Sequence, residues 1–281
     1  MCYDYFPDLQ IVFTGSSILD IYKGNADLSR RAVSYFMTGL SFREYLIMSE
    51  KIPVNSFTFK EILSNKATIP VKHPLPLYKK YLKKGYYPFF HETDYEQKLQ
   101  NVINQTLEND IPLFARMNAT TSRKLKQLLY IISQSVPFKP NINKIAENID
   151  VGRNQIPDYL HYMQQAGLIM MLQSEIKSVN SLSKIEKIYL QNTNLVYALA
   201  NQKADIGNLR ETFFINQMFV NHKVLPSQKA DFIIDGYTFE IGGKNKNQQQ
   251  ISGIKNAFVA KDDIEFGDKN VIPLWAFGLN Y

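Results

Sequence analysis

Three pieces of residues 10–46 decide the fold reading: Gln10-Ile11-Val12-Phe13-Thr14-Gly15-Ser16-Ser17, then Asp27-Leu28-Ser29-Arg30-Arg31, then Leu40-Ser41-Phe42-Arg43-Glu44-Tyr45-Leu46. Ile11, Val12 and Phe13 form a β-branched and aromatic run, which suits a strand buried on both faces of a parallel sheet. Thr14, Ser16 and Ser17 follow at once, where ligands usually meet such sheets, at the carboxyl ends of strands. A hydroxyl at a strand tip and an arginine soon after it are two of the parts that sense and stabilise a nucleotide γ-phosphate. Taken singly, each has a plainer reading, a helix cap or a solvated basic face.

In this order the pieces resemble the second half of the ATPase core in a prokaryotic, archaeal-type branch of the AAA+ superfamily. Members of that branch carry a DUF4143-like C-terminal domain. The resemblance implies that Thr14, Ser16 and Ser17 belong to a sensor strand and that Arg31 is arginine-finger-like. It also implies that Leu40-Ser41-Phe42-Arg43-Glu44 opens the next helix. Arg30 stands where the family usually has glycine. No Gly-x-x-x-x-Gly-Lys-Ser/Thr occurs in the 281 residues, and Gly243-Lys244 is followed by Asn245. Without that loop no ring of backbone N–H groups cradles phosphates and no hydroxyl holds Mg²⁺. The apolar strand ending in paired acids is missing as well, so the expectation is a truncated or split ATPase whose phosphate loop lies upstream.

Composition sets wider bounds. A chain of 281 residues implies two or three structural units, and 45% hydrophobic with 13% aromatic residues fills real cores. The single cysteine, Cys2, excludes an intrachain disulfide framework and suits a reducing, cytoplasmic compartment. No run approaches the ~18 apolar residues of a membrane span. The net charge of +6 permits an acidic partner such as DNA without demanding one.

Beyond Leu46, Phe57–Ser64 reads as a short amphipathic segment, and Ile69–Leu77, with Pro70, Pro74 and Pro76, as a loop. Tyr78–Leu82 reads as a helix that Gly85 ends in a left-handed conformation. The following Tyr86-Tyr87-Pro88 resembles part of the family's helical lid. Tyr95–Leu107 is a polar helix. Leu125, Leu128, Leu129 and Ile132 share one helical face, as do Ile142, Ile145, Ala146 and Ile149, and then Ile156, Tyr159, Leu160 and Met163. With a strand at Leu168–Leu172, this is the order of a winged helix-turn-helix. Arg153, Asn154 and Gln155 would then open a recognition helix facing DNA; a protein-docking role for the same unit stays open beside it.

The last hundred residues read as α/β. A strand at Ile185–Leu190 and a short helix at Asn192–Ala200 precede a longer helix from Asn208. Ala230–Ile234 and Tyr237–Ile241, joined by Asp235-Gly236, form a hairpin. Glu211, Asp231 and Glu240 resemble the acidic set of restriction-endonuclease-like folds, in which carboxylates hold Mg²⁺ and a lysine two residues after the last acid activates water. Here Gly242 stands at the lysine position. Lys244 reaches the site only through a bulge at Gly242-Gly243. His73, His91, His161 and His222 are scattered and read as structural or exposed.

The expected architecture is α/β and multi-domain. Residues 1–50 are the C-terminal part of a P-loop-type ATPase core, 51–118 a helical lid, 119–178 a winged helix and 179–281 a nuclease-like domain. The leading functional reading is the C-terminal portion of an AAA+-like ATP-binding protein that does not hydrolyse ATP alone. A winged-helix DNA-binding regulator and a metal-dependent nuclease are the alternatives. ATP and Mg²⁺ belong to a full-length family member, with none expected for this chain alone. The expected partners are DNA, another protein or an upstream ATPase fragment, and no membrane.

Overall fold

The computed structural model describes residues 8–10, Val12, Val33, 35–134, 137–174, 184–199 and 205–281. Thr14, Ser16, Ser17 and Arg31 lie outside the described residues. Val12 is described, and it corrects one expectation: it is 92% exposed and belongs to no regular element. A three-residue run becomes a buried strand only beside partner strands. Among the described residues both sheets are built from residue 169 onward.

Helix α1 (Phe42–Ser49) starts after Ser41 with a reciprocal capping box between Ser41 and Glu44. Its first turn is tied to distant chain. The Ser41 hydroxyl and Arg43 Nε donate to the Tyr281 carbonyl oxygen at 3.0 and 2.7 Å, and the Phe42 N–H donates to Gln217 Oε1 at 3.3 Å. Helix α2 (Phe59–Leu63) repeats the device with Thr58 and Glu61. Helix α3 spans Leu75–Lys84, so Pro74 and Pro76 begin a helix rather than interrupt one. First-turn N–H groups have no intrahelical partner, so proline costs little there. Gly85 ends α3 at φ −150°, not in the left-handed region. Its need for glycine is steric: a Cβ there would lie 2.8 Å from the Tyr81 Cα.

Helix α4 (Tyr95–Gln105) runs through a π-helical turn at Thr106–Asp110 into α5 (Ile111–Ala115). Three amphipathic helices follow, α6 (Ala119–Ser133), α7 (Ile142–Asn148) and α8 (Gln155–Gln165), with their expected apolar faces buried. Gly167, at φ +71°, turns the chain into strand β1 (Ile169–Gln173), which pairs antiparallel with β2 (Ile185–Leu190). Between α6 and α7, Phe138 exchanges both backbone hydrogen bonds with Ile188 of β2.

After α9 (Thr193–Leu199), helix α10 (Ile206–Met218) lies against a five-stranded sheet of β3 (Val224–Pro226), β4 (Phe232–Ile234), β5 (Tyr237–Gly242), β6 (Ala257–Lys261) and β7 (Val271–Pro273). The strands lie in sequence order, antiparallel from β3 to β5 and parallel from β5 to β7. Asp235 and Gly236 take φ 50° and 82°, the positive pair that a two-residue hairpin turn requires. The described residues are thus mixed α/β with two sheets. Its apolar interior is continuous from Phe42 to Leu279, and a small second cluster of Ile251, Ala257 and Val259 lies apart from it. Phe214 of α10 anchors the sheet, with ring centroids 5.4 Å from Phe232, 5.3 Å from Phe239 and 4.8 Å from Phe277.

One polar residue holds the helical part together. Asn194, 1% exposed, accepts at Oδ1 from the Gly85 and Tyr86 N–H groups and the Tyr95 hydroxyl at 3.1, 2.9 and 2.7 Å. Its amide donates to the Tyr81 and Leu82 carbonyl oxygens at 3.2 and 2.9 Å. The end of α3 and the start of α4 therefore meet on one side chain. Each buried group stranded by its loss costs about 1–3 kcal/mol. Asn194→Ala is expected to lower unfolding free energy by roughly 3 kcal/mol or more in urea titration, and a loss below about 1 kcal/mol would contradict this assignment.

Candidate functional site

Strand β2 points alternate side chains to opposite faces, so Lys187 and Tyr189 share one face while Ile188 and Leu190 share the other. Both members of the first pair reach Glu211, in the second turn of α10. Lys187 Nζ lies 3.2 Å from Glu211 Oε2, and the Tyr189 hydroxyl donates to that oxygen at 2.7 Å. Lys187 Nζ is also 3.6 Å from Asp231 Oδ1, so one ammonium spans two carboxylates. The lysine side chain is 18% exposed and both partners are 17% exposed. Below the ammonium lies the Phe232 ring, 5.7 Å from Nζ to centroid. Asp231 is fixed from β5 as well, its Oδ2 accepting the Ile241 N–H at 2.8 Å.

Glu240, the residue before Ile241 on β5, is 3% exposed. Its Oε1 pairs with Lys246, and its Oε2 is buried without a hydrogen-bond partner among the described residues. Gly242 explains how Lys246 arrives. A Cβ on Gly242 would lie 2.4 Å from Lys246 Cγ, so the lysine stem fills the space where a residue-242 side chain would begin. Gly243 does the same for Arg210: a Cβ there would lie 2.9 Å from the guanidinium nitrogens. Arg210 Nε in turn donates to Asp262 Oδ2 at 2.9 Å.

Burial dominates the electrostatics. It raises the Glu211 carboxyl above its usual value, Asp231 adds to the rise, and Lys187 and Tyr189 oppose it. Burial also raises Glu240, against the hydrogen bond from Lys246, with further upward pressure from Asp231 and Glu211. The Tyr189 hydroxyl is raised strongly, by burial first and by the Glu211 charge beside it.

The structure thus brings Glu211, Asp231 and Glu240 into one cluster. Lys246 supplies the contact expected of Lys244, which is exposed. Lys187 and Tyr189 are additions that sequence reasoning missed; a lysine and a tyrosine two residues apart on one face of a strand were the available signal. The Mg²⁺ of nuclease-like sites does not fit this arrangement. Mg²⁺ needs oxygen ligands converging at ~2.0–2.1 Å. Among the described residues no three His, Cys, Asp or Glu side chains form such a group, and Lys187 stands between two of the carboxylates. The histidines hold other places: His73 pairs with Glu265 at 3.0 Å and His222 with Asp235 at 2.7 Å.

Residues 75–206 match a family model described as a domain of unknown function (DUF8612). The match takes in Lys187 and Tyr189 and stops before the carboxylates. An archaeal relative from Methanocaldococcus jannaschii, described as Uncharacterized protein MJ1637, is 24% identical over 173 residues. That alignment covers 58% of this chain and 36% of the relative, so the chain spans about a third of the relative's length. No solved structure matches.

The raised carboxyls give a signed pH dependence. Where a folded-state acid binds its proton more tightly than the unfolded one, stability falls as pH rises. The share owed to Glu240 is full below its ordinary value of 4.5 and is lost as pH climbs through the raised one. The unfolding free energy of wild type relative to Glu240→Gln is therefore expected to fall across that window. A flat or rising difference would contradict the burial of this carboxyl.

Proposed function

We propose that this chain is the C-terminal portion of an AAA+-like ATP-binding protein, and that its last unit is a restriction-endonuclease-like fold kept as a scaffold rather than a working nuclease. The observation that carries the scaffold reading is the commitment of the carboxylates to protein cations: Glu211 and Asp231 to Lys187, and Glu240 to Lys246. Phosphodiester hydrolysis needs a metal held by such acids and a group to take the water's proton. The fold reading is supported by the element order, in which α10 precedes three antiparallel strands and then two parallel ones.

The ATP-linked part rests on the resemblance of residues 10–46, with Thr14, Ser16, Ser17 and Arg31 as the sensing residues. The capped helix α1, opening at Ser41, agrees with that resemblance. This reading implies a phosphate loop supplied from outside these 281 residues. ATP and Mg²⁺ would bind productively only with that loop present.

The winged-helix reading of residues 119–178 draws support from the element order, three helices α6, α7 and α8 followed by strand β1. The protein-docking reading of this unit is favoured over a DNA reader. Arg153 and Asn154 are exposed at the start of α8, but the exposed acids Asp150 and Asp158 flank them. Phosphate contacts need a net basic surface, and any DNA binding here would be sequence-tolerant and sensitive to salt.

Two assays test the proposal. Plasmid nicking with Mg²⁺ or Mn²⁺ is expected to show no activity above buffer; nicking by wild type that Glu240→Ala abolishes would overturn the scaffold reading. A fluorescent-ATP titration is expected to show weak binding and no turnover, whereas tight binding with turnover lost in Arg31→Ala would overturn the split ATPase.

A further inference from the structure

Lys187 does not belong to the elements that carry the acids. Glu211 is on α10, Asp231 borders β4 and Glu240 is on β5, while Lys187 comes from the β1–β2 hairpin that closes the preceding helical unit. Its Nζ sits 3.2 and 3.6 Å from oxygens of two different carboxylates and over the Phe232 ring. Two acids held this close in a poorly solvated place repel each other unless a positive charge lies between them. The neighbouring Glu240 Oε2, buried and without a hydrogen-bond partner among the described residues, shows that the cluster still has unspent acceptor capacity.

We propose that Lys187 is a tethered cation, inserted by the β1–β2 hairpin into the seat that a divalent ion takes in acidic sites of this kind, so that the carboxylates clasp the hairpin instead of a metal. The inference deepens the scaffold reading by saying what the acids do: they couple the hairpin to the C-terminal sheet. Period-two geometry supports it, because Lys187 and Tyr189 deliver a charge and a hydroxyl to the same Glu211 oxygen. Lys246 is not equivalent. It rises from the loop directly after β5 and, among the described residues, pairs with Glu240 and Gln250.

The test is Mn²⁺ binding to the full chain, read by electron paramagnetic resonance. Wild type is expected to bind Mn²⁺ weakly, and Lys187→Met to bind it roughly tenfold more tightly or better, a gain that Asp231→Asn removes. Lys187→Arg keeps the charge and is expected to show no gain. Equal affinity in wild type and Lys187→Met, whether tight or weak, overturns the proposal. A measurement on wild type alone stands beside it should Lys187→Met fail to fold. In reductive methylation followed by mass spectrometry, Lys187 is expected to react far more slowly than the exposed Lys244; equal rates overturn the proposal. Nicking by wild type would sink the scaffold reading, while these two readouts judge Lys187 whether or not nicking occurs.

Discussion

Three carboxylates brought to one poorly solvated place are the constraint on which the C-terminal half depends. Glu211 comes from a helix, Asp231 from the residue before β4 and Glu240 from β5, and their mutual repulsion rises as water leaves. The fold answers with two lysines of different origin. Lys246 is local, and the missing side chain at Gly242 gives it room to turn back. Lys187 is remote, and seating it fixes where the β1–β2 hairpin meets α10 and the sheet. Replacing such a pair by apolar groups is often neutral or stabilising, but removing one partner costs about 3–5 kcal/mol. The arrangement therefore serves relative placement of the elements more than net stability.

A second polar hub works the same way in the helical half. Asn194 satisfies three donors and two acceptors from α3, the aromatic turn after it and α4. Helix α9, which carries Asn194, lies between β2 and α10. The two hubs are thus joined through a short stretch of chain, and the apolar interior runs unbroken past both. An aromatic edge-to-face contact, Tyr78 to Phe213 at 4.9 Å, joins α3 to α10.

Local chemistry was legible in the sequence. The apolar faces of α6, α7 and α8 and the Asp235-Gly236 hairpin follow from periodicity and turn residues, which act over a few positions. The three acids were legible through their resemblance to a known pattern. The failures share one cause, long-range context. Val12 sits in a run with strand composition and, among the described residues, pairs with no strand. Pro74 and Pro76 look like breakers until the helix start is placed around them. Lys187 lies 24 residues from Glu211, and only the folded chain shows that the hairpin carries it there. Lys246 displaced Lys244 because the turn at Gly243 directs one stem inward and the other to solvent.

A double-mutant cycle between Lys187 and Glu211 tests the central claim most directly. Unfolding free energies of wild type, Lys187→Met, Glu211→Gln and the double variant would be measured by urea titration. The account predicts strong coupling, with the double variant less destabilised than the sum of the singles by roughly 1–3 kcal/mol, because removing one partner strands the other's buried charge. Additive effects, within about 0.5 kcal/mol, would show that the two residues are neighbours without dependence and would contradict the account.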